Sequence, residues 1–190
     1  MVSAPEKMPR KESVLLRSIG RFLCWIHGWH VDGKIANEDK LIVALAPHSS
    51  NWDFYIGVRT IMSLDADVGI FMKQEAFFWP FKRLLQWFGF IPVDRQSANG
   101  GGVVGSAVEQ FTTREKFWLV ITPEGTRRNV STWKKGFLRM SREANVPIQL
   151  LSVDYPSKRL EFGPVIRAGD DFDADIERCK EFTSQFRGKG

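Results

Sequence analysis

The sequence predicts an α/β fold in which helices flank a single layer of mostly parallel β-strands. Short apolar runs alternate along the chain with longer stretches of helical periodicity. Buried strands have this length and composition, and their alternation with helices is typical of a parallel sheet. The runs that predict strands are residues 41–46, 68–72, 90–93, 117–122 and 148–153, and a further strand is predicted at 160–165.

Length and composition are those of one folded domain. The chain has 190 residues, of which 43% are hydrophobic and 26% charged, as expected for a globular protein with a sizeable core. Residues 1–12 carry prolines and several charges without periodicity, so we expect a loose tail there and a single domain over 13–190. No apolar run is long enough to predict a membrane-spanning helix.

An amphipathic helix is predicted near the amino terminus, beginning close to Ser13. Its apolar side chains fall on one side of a helical wheel, with Arg17 and Arg21 on the opposite side. Two interpretations stay open: a helix that covers the core, or an interfacial helix whose Trp25 and Trp29 meet a bilayer. Further helices are predicted near residues 51–63, 80–88, 101–114, 134–145 and 172–186.

The helix predicted near residues 80–88 is amphipathic as well. Pro80 stands at its start and Gly89 just past its end, the positions that these residues favour. We expect one apolar stripe to pack inward, with Lys82 and Arg83 left for a lipid interface. The stripe consists of Phe81, Leu84, Leu85 and Phe88.

The charge balance favours an anionic partner. The net charge of +5 would attract nucleic acid, anionic lipid or a phosphorylated substrate. The basic residues form no long run and accompany no nucleic-acid-binding motif, so we expect a membrane surface or a phosphate and no nucleic acid. Cys24 and Cys179 are the only cysteines, far apart and each on a predicted helix, so no disulfide framework is predicted, which fits a reducing compartment. No cluster has metal-ligand spacing, so no metal is predicted.

His48 and Asp53 are the candidate catalytic pair. His48 follows the apolar run 41–46, and a helix is predicted to begin just after it. Turns at the carboxyl ends of parallel strands are where α/β proteins usually bind ligands. Asp53 would lie in the first helical turn, close enough to orient the imidazole as a general base. The plainer interpretation is an acidic residue favoured by the helix dipole beside a packing histidine.

Two further polar segments follow predicted strands. Arg95 comes after the run 90–93, where its guanidinium could bind a phosphate through two hydrogen bonds or form a surface salt bridge. The segment 123–128, Pro-Glu-Gly-Thr-Arg-Arg, follows the run 117–122. Gly125 permits an unusual backbone angle that would turn amides towards an anion, although a plain turn has the same composition.

Together these segments resemble the glycerolipid acyltransferases of the lysophosphatidic acid acyltransferase (PlsC-like) family. That family is marked by four ordered blocks, and all four occur here over about residues 40–155. They are His48-x4-Asp53, then Gly89-x-Ile91 with Arg95, then 123–127, and then the apolar-Pro-apolar triplet 146–148. The resemblance implies the glycerol-3-phosphate acyltransferase-like fold with an amphipathic amino-terminal helix.

The resemblance also implies roles for the marked residues. His48 would deprotonate an acceptor hydroxyl, Asp53 would orient the histidine, and the hydroxyl would attack the thioester of acyl-CoA or acyl carrier protein. These thioesters are co-substrates, and no cofactor or covalent acyl-enzyme is implied. The acceptor's phosphate would be bound by Arg95, Glu124, Gly125, Thr126 and Arg127.

The predicted function is therefore acyl transfer to a lysophospholipid such as 1-acylglycerol-3-phosphate, in phospholipid synthesis or remodelling. The predicted location is cytoplasmic, peripherally at the inner face of the membrane. Pro47 and Thr122 depart from the residues that many members carry there, which leaves the identity of the acceptor open. The alternatives are a different lyso-lipid acceptor, a thioester or lipid hydrolase, and a peripheral lipid-binding protein.

Overall fold

The computed structural model describes residues 2–93, 102–126 and 132–189. Seven strands in these ranges form one sheet: β1 (His30–Gly33), β2 (Lys40–Leu45), β3 (Val68–Lys73), β4 (Phe90–Val93), β5 (Phe117–Ile121), β6 (Ile148–Asp154) and β7 (Arg159–Ile166). The same ranges contain six α-helices: α1 (Val14–Ile26), α2 (Asn51–Leu64), α3 (Lys82–Trp87), α4 (Gly102–Thr113), α5 (Gly136–Ala144) and α6 (Phe172–Thr183).

The sheet is mostly parallel, as predicted. Its strand order is β1-β7-β6-β2-β5-β3-β4. The strands β4, β3, β5, β2 and β6 run in one direction, whereas β7 pairs antiparallel with β6 and parallel with β1. Every predicted strand is present. The additional strand, β1, has polar His30 and Asp32 among its residues and forms by pairing with β7, which local periodicity does not reveal.

The central strand β2 supplies the core on both sides of the sheet. Ile42 and Ala44 pack in a core that includes residues of α4, α5 and α6. Leu41, Val43 and Leu45 point the other way, into a core that includes a residue of α2. All five side chains are buried. Burial on both faces is the reason that the run 41–46 is continuously apolar.

Part of the expected amino-terminal tail is anchored to the rest of the protein. Met8 is buried in the same core as the α2 residue Ile56. Arg10 forms a β-bridge with Ala66, and the Lys11 N–H donates a hydrogen bond to a backbone carbonyl 3.1 Å away. The expectation of a loose tail up to residue 12 is therefore wrong for these residues. Composition describes only the local chain, and these contacts join segments far apart in sequence.

Helix α1 packs on α2 through its small residues and turns an apolar face outward. Gly20 and Cys24 are its buried residues. One side of α1 covers α2, while the other side leaves apolar side chains exposed. The interfacial interpretation stays a prediction. No helix in the described part of the chain combines the length and apolarity needed to cross a membrane. The exposed apolar residues of α1 are Val14, Leu15, Ile19, Phe22, Trp25 and Ile26.

Gly20 permits the close approach of α1 and α2. A Cβ atom there would overlap the backbone of Ser63 and Met62. We expect Gly20→Ala to lower the free energy of unfolding by roughly 1–3 kcal/mol, because the helices must separate, although alanine favours a helix. Gly57→Ala on α2 is the matched control, since a Cβ there meets nothing within 4 Å. The melting temperature of the control should be unchanged or slightly raised. A Gly20→Ala protein as stable as the control would contradict the close packing of α1 on α2.

Helix α3 is more exposed than predicted. No residue of α3 is buried, and Leu84 together with the adjoining Phe81 is about half exposed, at 51% and 50%. Leu85 and Phe88 are partly buried. The prediction of an inward-packing stripe is therefore wrong for Phe81 and Leu84. An amphipathic pattern shows that a face is apolar but not what covers it.

Candidate active site

The candidate site lies at the carboxyl edge of the sheet, where β2 is followed by α2. His48 lies in the loop between these elements. Ser50 caps α2 by accepting a hydrogen bond from the Trp52 N–H at 3.2 Å, and Asp53 completes the capping box by accepting one from the Ser50 N–H at 2.8 Å. The local interactions that begin α2 therefore also place Asp53 beside His48.

The Asp53 carboxylate is buried and binds the loop that carries His48. Its Oδ2 accepts hydrogen bonds from the Ser49 and Ser50 N–H groups, each at 2.8 Å. The same oxygen lies 3.1 Å from His48 Nδ1. That distance suits a hydrogen bond, but the ring nitrogen is not well aligned with the oxygen. Catalytic contacts are commonly misaligned without substrate and tighten when it binds.

Asp53 is held in its ionised form. Burial alone would raise the pKa of this carboxyl group, but the contact with His48 and the hydrogen bonds from the Tyr155 hydroxyl and the Ser50 N–H outweigh it and hold the pKa below its ordinary value. A negative charge beside Nδ1 favours the tautomer with the proton on that nitrogen. That tautomer leaves the lone pair on Nε2, which is then the ring nitrogen that could act as a base.

Glu124 joins this pair from the neighbouring strand. It lies in the loop after β5, which runs parallel to β2, so the two loops meet at one edge of the sheet. Its Oε2 accepts a hydrogen bond from the His48 N–H at 3.1 Å. Burial raises the pKa of Glu124, against the opposing effect of its contacts with His48. The contact that the structure shows for Glu124 is therefore one that fixes the loop of His48.

The other predicted site residues lie in the Glu124 loop or outside the described ranges. Gly125 has a φ of +63°, the left-handed conformation that glycine adopts without strain. Thr126 follows it. Arg95 and Arg127 fall outside the residues that the structure describes, so their roles remain predictions. Of the predicted site residues, the structure brings His48, Asp53 and Glu124 into direct contact.

One residue of this site was not predicted. The Tyr155 hydroxyl donates a hydrogen bond to Asp53 Oδ1 at 2.5 Å. Tyr155 directly follows β6, the strand that pairs with β2 on the side opposite β5. The signal that could have identified it is its position at the carboxyl end of a strand, which it shares with His48 and Glu124.

The structure thus combines a mostly parallel α/β sheet with a histidine beside a buried carboxylate at the carboxyl edge of that sheet. The chain belongs to the Acyltransferase family, whose sequence model matches residues 29–153. The matched segment contains His48, Asp53 and Glu124, so the resemblance to acyltransferases is confirmed. Within the described ranges, no three His, Cys, Asp or Glu side chains are grouped so that they could hold a metal ion.

A solved structure shares this fold. It is that of the 1-acyl-sn-glycerophosphate (LPA) acyltransferase PlsC from Thermotoga maritima. The match has a TM-score of 0.64 and covers 90% of this chain and 76% of that one, at 15% sequence identity. A likeness at this identity confirms the predicted fold. No curated protein sequence matched the chain significantly.

Proposed function

We propose that the protein transfers a fatty acyl group from acyl-CoA or acyl carrier protein to the free hydroxyl of a lysophospholipid such as 1-acylglycerol-3-phosphate. The reaction would serve phospholipid synthesis or remodelling. The observation that carries the proposal is the 3.1 Å approach of His48 Nδ1 to the buried Asp53 carboxylate. Membership of the Acyltransferase family supports the transfer of an acyl group. The identities of the donor and the acceptor are proposed in addition.

His48 acts as the base in this proposal. Its Nε2 takes the proton of the acceptor hydroxyl as the oxygen attacks the carbonyl carbon of the thioester. Collapse of the tetrahedral intermediate breaks the carbon–sulfur bond, and the imidazolium returns the proton to the departing thiolate. Asp53 stabilises the imidazolium charge. The thioester is already activated, so holding the two substrates together supplies much of the acceleration without a covalent acyl-enzyme.

The acceptor's phosphate is proposed to bind at the loop after β5, together with Arg95, Thr126 and Arg127. One observation supports a cation at this loop: a Cβ on Gly125 would lie 2.9 Å from the Lys134 ammonium nitrogen. Positive charge and turned backbone amides suit a phosphate. The Glu124 carboxylate would repel that phosphate, so its proposed contribution is to hold the His48 loop.

The acceptor and donor are tested together in one panel. Purified protein is given acyl-CoA or acyl carrier protein thioesters with lysophosphatidic acid, with a zwitterionic lysophospholipid, or with a monoacylglycerol that lacks phosphate. We expect mass spectrometry to show that ester forms only when an acceptor is present. Among the acceptors, one that carries a phosphate should have the lowest KM. The absence of ester from every pair of substrates would contradict the proposed function.

We also propose that the protein works peripherally at the inner, cytoplasmic face of a membrane. The support is aromatic exposure on two segments: Trp25 of α1 is 74% exposed, and Trp79, just before α3, is 90% exposed. Exposed Arg21, Lys82 and Arg83 lie in the same segments, where they suit anionic headgroups. Apolar side chains beside basic ones are typical of interfacial helices.

The membrane proposal predicts the effect of removing two exposed tryptophans. We expect the double variant Trp25→Ser, Trp79→Ser to weaken binding to anionic liposomes by roughly 10- to 100-fold, because less apolar area enters the lipid. The control is Val165→Ser, which removes an exposed apolar side chain from β7, 47% exposed. Sedimentation with liposomes measures both. If the wild type and the double variant bound liposomes equally, the two tryptophans would not contribute to membrane binding.

A further inference from the structure

Tyr155 contacts one oxygen of the Asp53 carboxylate, and His48 lies beside the other. Asp53 Oδ2 receives the Ser49 and Ser50 N–H groups and faces His48 Nδ1. Among the described residues, the hydrogen bond to the other oxygen, Oδ1, comes from the Tyr155 hydroxyl at 2.5 Å. That is the short end of the range for a hydroxyl donating to a carboxylate. The two oxygens are thus fixed by different parts of the chain.

Tyr155 is itself held in place by one contact to its ring and one to its backbone. Trp29 packs edge-on against it, with ring centroids 5.3 Å apart. The Tyr155 N–H donates a hydrogen bond to the Arg187 carbonyl at 3.0 Å, and the Arg187 N–H donates one to Asp154 Oδ1 at 2.9 Å. The hydroxyl is therefore presented to Asp53 by a strand end, the segment after α1 and the carboxyl-terminal segment.

We propose that Tyr155 is a positioning residue of the active site: its hydrogen bond to Oδ1 sets the plane of the Asp53 carboxylate so that Oδ2 faces His48 Nδ1. The inference rests on the proposed function of His48 as a base. Tyr155 acts through Asp53, because its hydroxyl is directed at the carboxylate and not at His48. Burial and the contact with Asp53 both raise the pKa of Tyr155, so the hydroxyl stays protonated and donates.

Loss of this bond has two consequences for Asp53. The carboxylate becomes freer to rotate away from His48, because two backbone donors hold only Oδ2. It also binds a proton more readily, since the Tyr155 hydroxyl is one of the groups that lower the pKa of Asp53. Among the described residues, the other charged or titratable groups that interact electrostatically with Asp53 or Tyr155 are His48, Glu124 and, from α2, Arg59.

Tyr155→Phe tests the proposal with little change in shape. We expect kcat to fall roughly tenfold or more while the KM values for both substrates stay within about twofold, because the hydroxyl acts on the base and not on substrate binding. As pH is lowered, kcat of the variant should begin to fall at a higher pH than kcat of the wild type, since Asp53 becomes protonated more easily. Tyr55→Phe on α2 is the matched control and should leave kcat and its pH profile unchanged.

A double-mutant cycle separates positioning from a general structural effect. If Tyr155 acts through Asp53, Tyr155→Phe should lower kcat no further in an Asp53→Asn background. Equal fold-losses from Tyr155→Phe in the wild-type and Asp53→Asn backgrounds would overturn the proposal. An unchanged kcat and pH profile for the single variant would overturn it as well.

A spectroscopic readout tests Tyr155 independently of any substrate. Nitrogen NMR of the His48 ring should show the Nδ1-protonated tautomer in the wild type and a mixture of tautomers in Tyr155→Phe. The same tautomer in both proteins would overturn the positioning role whether or not the enzyme is active. Failure of the wild type to form any ester, with the NMR difference present, would instead contradict the proposed function alone.

Discussion

Replacing His48 with alanine is expected to lower kcat by roughly 10³-fold or more, because the base that takes the acceptor's proton is lost. The fold should survive the change. The Asp53 carboxylate would keep hydrogen bonds from the Ser49 and Ser50 N–H groups and from Tyr155, so no bare charge is left buried. Initial rates of acyl transfer, with circular dichroism of both proteins, measure the two parts of this prediction.

A second histidine–aspartate pair provides the matched control for His48. His30 Nε2 lies 3.8 Å from Asp32 Oδ2, and both side chains are exposed, at 53% and 44%. His30→Ala should leave kcat within about twofold of the wild type, since an exposed pair is weakly coupled. If His48→Ala retained a comparable fraction of activity, His48 would not be the base.

Asp53→Asn is expected to lower kcat by roughly 10²- to 10⁴-fold, because the amide neither stabilises an imidazolium nor enforces the same tautomer. KM should change much less, since Asp53 lies behind His48 relative to the substrate in our proposal. Kinetics with saturating donor and acceptor measure the split. A variant that lost affinity for a substrate but kept kcat would assign Asp53 to binding.

The same variant should be less stable, in a way that depends on pH. The introduced amide would meet donors that now bind a carboxylate, at a cost of about 1–3 kcal/mol. Because the pKa of Asp53 is lowered on folding, the ionised group contributes stability above its unfolded pKa and loses it as pH falls through the folded value. The difference in unfolding free energy between the wild type and Asp53→Asn should therefore shrink below about pH 4. A difference that stayed constant into acid would contradict the cause that we assign.

The sheet could be predicted from the sequence because its central strands are buried on both faces. Continuous apolar runs mark β2 and β5, a mostly apolar run marks β6, and the helices between them have their own period and ends. The strand β1 and the anchoring of Met8 could not be predicted in this way. Both depend on contacts with residues distant in sequence, which leave no periodic trace in the local sequence.

The residues of the site that belong to short sequence motifs could be predicted. The capping box between Ser50 and Asp53 holds Asp53 beside the loop that carries His48, so the short spacing of His48 and Asp53 indicates their contact. Glu124 was predicted as part of a phosphate loop, whereas its visible contact is to the His48 N–H. Tyr155 lies 102 residues from Asp53, and neither motif nor spacing connects the two.

The exposed aromatic segments mark another limit of sequence pattern. The amphipathic period of α1 and of the region around α3 is evident in the sequence, but it cannot distinguish a face that meets the core from one that meets lipid. Packing decides this, and Phe81 and Leu84 are left exposed. Such contiguous exposed apolar residues are typical of surfaces that bind a partner or a membrane.

The measurement that tests the central claim most directly is the ratio of ester formed to thiol released in the same reaction with a lysophospholipid. We predict one ester for each thiol, with thiol release dependent on the acceptor and lost in His48→Ala but not in His30→Ala. Thiol released in excess of ester, and at the same rate without acceptor, would show that His48 activates water and would contradict acyl transfer.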